Sequence, residues 1–68
     1  MIFQLKSEFI ELDNLLKVVE LVPSGAEAKR CILSGLVKIN GQVETRIRKK
    51  LRLGDSVEFS EYQISIIE

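Results

Sequence analysis

The residues best equipped to act on a partner form a run of cations in the middle of the chain. Between positions 29 and 52 stand Lys29, Arg30, Lys38, Arg46, Arg48, Lys49, Lys50 and Arg52, against one acid, Glu44. This stretch carries +7, whereas residues 1–28 carry −3 and residues 53–68 carry −4. The ten bases and ten acids therefore cancel over the whole chain but not locally. Such asymmetry points to a polyanionic partner, and phosphate is the usual one. Arginine offers a planar fork of donors that suits phosphate and a flat face that stacks on bases. Each phosphate so neutralised releases condensed counterions, which drives binding at low salt. Three other roles compete for the same residues: a solvated face, a charged edge strand guarded against aggregation, and a surface that docks an acidic protein.

Other chemistries lack their residues. The chain has no histidine, so the usual general base near neutral pH is missing. One cysteine, Cys31, supplies neither a disulfide pair nor a zinc set. No glycine-rich phosphate loop of the P-loop or dinucleotide type is present. Ser24 has no partner base and is explained by helix capping. These features argue against an enzyme and against a metal or cofactor. A lone thiol suits a reducing compartment, and no apolar run is long enough to span a bilayer. The expectation is a cytoplasmic protein with no membrane partner and no small-molecule substrate.

At 68 residues, the chain is expected to form one domain. Met1–Leu5 reads as a strand or as a tail packed on the core. Leu12, Leu15, Leu16, Val19 and Val22 recur close to helical spacing, which predicts a helix over about Glu11–Glu20. Pro23 breaks the pattern, and Ser24 with Glu27 forms an S-x-x-E capping box. A second helix follows, about Gly25–Ser34, with Ala28, Cys31 and Ile32 on its inner face. Gly35 suits the left-handed position past its end, where Leu36 is placed to pack back on Cys31.

The period then changes to two. Val37 and Ile39 alternate with Lys38, and Asn40-Gly41 signals a tight hairpin. Alternation through 44–52 places Arg46, Arg48, Lys50 and Arg52 on one side of an extended strand. Leu53-Gly54-Asp55 reads as a turn. Val57 and Phe59 open another strand, and Tyr62–Ile67 closes the sheet. The predicted fold is α+β, with two short helices packed on a small, mostly antiparallel sheet. Lys29 and Arg30 then point away from the helical core face, and Lys38 lies on the solvated face of the hairpin.

An ordered set of residues adds to this reading. Leu12-Asp13 and Leu16 come first, and Ser24 stands eleven positions after Asp13. Ala28, Cys31-Ile32 and Gly35 follow, then Val37-x-Ile39-Asn40-Gly41, then Gly54-Asp55-x-Val57. In this order and spacing they resemble the S4 RNA-binding domain, most closely its small stand-alone bacterial members. The resemblance spans about residues 11–59 and implies the αL RNA-binding motif. It implies binding of structured RNA, ribosomal or transfer RNA, in association with the ribosome, without catalysis, metal or cofactor. Many such domains carry arginine where this chain has Glu11 and Gly25. The Gly25–Lys29 run looks like the stand-alone subgroup, in which Lys29 takes over the missing contact.

Overall fold

A computed structural model describes all 68 residues. The elements are β1 (Ile2–Gln4), β2 (Ile10–Glu11), α1 (Leu12–Val18), α2 (Gly25–Leu33), β3 (Val37–Ile39), β4 (Gln42–Val43), β5 (Lys50–Leu51), β6 (Ser56–Phe59) and β7 (Tyr62–Ile67). The main sheet runs β1-β7-β6-β3-β4, and β2 with β5 forms a separate ribbon. All pairings are antiparallel except β1 with β7. Two helices on a mostly antiparallel mixed sheet is the α+β architecture expected from the sequence. No helix is long and apolar enough to cross a membrane.

Fourteen buried residues form a single apolar cluster. Leu12, Leu15 and Leu16 of α1 meet Ala28, Cys31 and Ile32 of α2, and both helices lie over Val37, Ile39, Val57, Ile64 and Ile66 of the sheet. The alternation along each strand puts these side chains inward, and no buried side-chain polar atom lacks a partner. The ribbon adds Leu51, fully buried, and Ile10, partly so. Val19 is half-buried against the core, and α1 stops at Val18, two residues before the predicted end.

Both helices end in the same way. Past α2, Gly35 takes φ +77°, its N–H donates to the Ile32 carbonyl at 3.1 Å, and the Leu36 N–H donates to the Cys31 carbonyl at 3.2 Å. This is the paired termination that a left-handed residue permits. The Leu36 side chain stays 56% exposed. Past α1, Glu20 takes the left-handed position, with φ 63°. Its N–H donates to the Lys17 carbonyl at 3.0 Å, and that of Leu21 to the Leu16 carbonyl at 3.1 Å. The start of α2 bears out half of the capping box. Ser24 Oγ accepts from the Glu27 N–H at 3.3 Å, but the Glu27 carboxylate turns to Arg30 rather than back to Ser24.

Asn40 and Gly41 both have positive φ, as a two-residue hairpin turn of this kind requires. Asn40 also ties two turns together. Its side-chain oxygen accepts from the Ser56 N–H at 2.9 Å, and its amide donates to Asp55 at 3.1 Å. The other Asp55 oxygen accepts from the Arg52 N–H at 2.9 Å.

A left-handed residue with a Cβ costs roughly 1–2 kcal/mol that glycine avoids. Glu20→Gly should therefore raise unfolding stability by about 1 kcal/mol, and Gly35→Ala should lower it by about the same amount, in urea denaturation.

Candidate nucleic-acid interface

The extended row expected over 44–52 does not form. Only Lys50-Leu51 is strand, and residues 46–49 make a turn closed by the Lys49 N–H to the Arg46 carbonyl at 3.2 Å. The cause lies in α1. A helix start leaves N–H groups without partners, and here the basic segment supplies them. The Leu12 N–H donates to the Lys49 carbonyl at 2.9 Å, and the Asp13 N–H donates to the Ile47 carbonyl at 3.1 Å. Ile47 packs against the core beneath this contact. The backbone bends to make these bonds, so the cations fan out around the start of α1 instead of standing in a row.

Six of the eight predicted cations line adjoining hollows. Lys29 and Arg30 share a shallow one on α2 with Ala26, Leu33 and Ser34. Lys29 also borders the next, with Arg48, Gly25, Asp13 and Ile47. Arg48 in turn shares a hollow with Arg46, Lys49 and Lys50, made of cations alone. Arg46 and Lys49 then border a last one, with Asn40, Gln42 and Glu44 among its walls. The shared residues join these into one band from α2 across the 46–50 turn to the β3–β4 hairpin. The band holds six cations against the acids Asp13, Glu27 and Glu44, a net of +3.

Two predicted cations stand apart. Lys38 lies on the outer face of the sheet, between Val43 and Glu58 in register, because strand alternation turns it away from the core that Val37 and Ile39 face. Arg52 lies beyond the ribbon, its guanidinium 5.7 Å from the centre of the Phe9 ring and 3.5 Å from the Glu8 carbonyl oxygen. Lys50 reaches the same ring, with Nζ 4.8 Å from its centre. None of the acids beyond position 55 borders the band.

The cations of the band are not equally free. The Arg46 Nε and Nη2 each donate to Glu44 at 3.0 Å, and the Arg46 backbone N–H donates to the same carboxylate at 2.9 Å. The Glu44 side chain is only 13% exposed, whereas that of Arg46 is 71% exposed. Glu44 thus fixes Arg46 in one pose and offsets its charge. Glu27 offsets the charge of Arg30 through a single contact one helical turn away. These are the only two salt bridges, which leaves Lys29, Arg48, Lys49 and Lys50 as the unpaired charge. Sequence reading named Glu44 as the lone acid but did not pair it. Its position two residues before Arg46 is the signal, since side chains two apart share one side of an extended chain.

Hydrogen bonds from the Arg46 side chain, then from its backbone, hold the Glu44 carboxyl down to about 2 from its ordinary 4.5. Because the folded value lies below the unfolded one, the stabilisation is complete above the ordinary carboxylate range. It is lost as pH falls toward 2. Between about pH 5 and 2 the native protein should lose more stability than Glu44→Gln, and the Glu44 carboxyl carbon should titrate near the bottom of that range by NMR.

Comparisons with known proteins address the family and the fold. The family model described as the S4 domain matches residues 3–67. The chain is 40% identical over 62 residues to YbcJ of Escherichia coli (strain K12), a proposed RNA-binding protein, covering 91% of this chain and 89% of that one. An uncharacterized YbcJ of Shigella flexneri matches to the same extent. The solution structure of the Escherichia coli protein, described as revealing an αL motif involved in RNA binding, superposes with a TM-score of 0.75. That match covers 98% of this chain and 86% of the other. With the family model spanning most of the chain and a relative 40% identical over nearly its whole length, the chain belongs to the S4 domain family.

Proposed function

We propose that this protein is a non-catalytic module that binds structured RNA, ribosomal or transfer RNA in the cytoplasm, through the band around the start of α1. The observation that carries this reading is the continuity of the band, in which Lys29, Arg48, Lys49 and Lys50 make no salt bridge. The family and its YbcJ relative support RNA as the polyanion. A module of this size meets A-form RNA by its phosphates and sugar hydroxyls, because the base edges are sunk in a narrow groove. Arg46 is suited to one directed contact, because Glu44 fixes its guanidinium. The lysines are suited to mobile contacts that follow the backbone. Lys38 and Arg52 lie outside the band and are assigned no phosphate contact in it.

Gly25 borders the hollow shared by Lys29 and Arg48. A Cβ added there meets nothing within 4 Å, so a side chain can leave the backbone at this position without a clash. The absence of the usual family arginine is thus a difference in contact chemistry and not a demand of packing.

Binding of a folded RNA should weaken with salt, and the slope should report the number of phosphates met, about −0.7 to −0.9 in log K per log salt for each. Arg48→Ala with Lys49→Ala should flatten the slope by about 1.4 to 1.8, measured by fluorescence anisotropy over a salt series. Lys38→Ala should leave the slope unchanged. Gly25→Arg should steepen it by about 1 and tighten binding. If an acidic protein competes with RNA, and the Arg48→Ala/Lys49→Ala variant keeps full RNA affinity, the band is not the RNA site.

A further inference from the structure

We infer that the hollow beside the N-terminal strand holds one unpaired nucleobase of the bound RNA; this rests on the RNA-binding reading and extends it to a second, base-reading site. The hollow has a volume of about 590 Å³ and lies outside the band. Its apolar walls include Phe3, Phe9 and Ile10, and its polar wall presents Gln4, Glu11 and Asn14. Neither the Gln4 nor the Asn14 side chain makes a hydrogen bond within the protein, so both amides are free to read a base edge. Aromatic walls with a few convergent polar groups suit a flat heterocycle, and sequence-specific RNA recognition works mainly on unstacked bases of this kind.

Position is the second argument. The β2–β5 ribbon pairs Glu11 with Lys50 and Ile10 with Leu51. Directly opposite residues of an antiparallel pair point to the same face, so Glu11, a wall of the hollow, and Lys50, a wall of the band, emerge side by side. Adjacent strands lie about 4.8 Å apart, which is within one nucleotide of backbone. Phe9 joins the two sites, since it lines the hollow while Lys50 and Arg52 lie over its ring, which leaves the Phe3 ring and the uncovered part of Phe9 as the aromatic wall for a base. An RNA backbone following Lys49 and Lys50 therefore passes the mouth of the hollow, with Arg52 and Lys6 at hand for the flanking phosphates. This gives Arg52 a role that the band does not.

Three RNA hairpins separate the contributions: one fully paired, one with a single bulged nucleotide, and one with an abasic site at the same bulge. The bulged base should tighten binding about tenfold over both others, as stacking of a base on an aromatic wall implies. Gln4→Ala with Asn14→Ala, both at exposed positions, should remove that gain and leave affinity for the paired hairpin unchanged. Phe9→Leu should also remove it. Nucleoside monophosphates should shift the Phe9, Ile10 and Asn14 amides saturably by NMR. Equal affinity for the base-bearing and abasic bulges overturns the proposal and leaves the band intact, and so do shifts produced by an apolar peptide but by no nucleotide. Failure to bind any of the hairpins removes the RNA-binding reading along with it.

Discussion

The structure depends on two backbone hydrogen bonds at the start of α1. The helix cannot satisfy its own first N–H groups, and Glu11 at the cap position offers no side-chain bond. The carbonyls of Ile47 and Lys49 take the Leu12 and Asp13 N–H groups instead. A stretch of like charges would otherwise stay extended and apart. These bonds, with Ile47 packed on the core, hold it against the one part of the molecule that also faces α2. Cations from positions 29 and 46–50 thereby become neighbours.

The arrangement reconciles repulsion with assembly. Packing six cations into one band is unfavourable in itself, and the molecule offsets part of the cost with Glu27 and Glu44, each close in sequence to the arginine it holds. Local pairs of this kind need no long-range folding to form. They leave the lysines and Arg48 unpaired, so the attraction to a polyanion persists while the apo surface remains tolerable. The paired arginines lose side-chain freedom before any ligand arrives, which lowers the entropy lost on binding.

The opposite face of the sheet is chemically different. Lys38 there stands in register with Glu58, and Glu58, Glu61 and Glu68 border none of the hollows of the band. The three last acids are thus sorted away from the band by the fold as well as by sequence. The Asn40–Asp55–Arg52 network matters to that sorting, because it anchors the β3–β4 hairpin to the turn that leads from β5 into β6.

Much was legible in the sequence, and for local reasons. Helical spacing of leucines, Ser24 before α2, Gly35 after it, and Asn40-Gly41 each describe an energy decided within a few residues, so the two helices and the hairpin could be read directly. Alternation in Val37–Ile39 and Ile64–Ile66 named the core face of the sheet for the same reason. The S4-like spacing supplied the family. Tertiary structure decided what depended on distant partners. Alternating arginines read as a strand, but a helix start some thirty-five residues earlier in the chain needed acceptors, and the backbone turned to supply them. The sequence by itself determined that the middle of the chain is cationic. Only the fold decided which cations meet, since that choice was made by unsatisfied N–H groups of α1, whose partners no local pattern could announce.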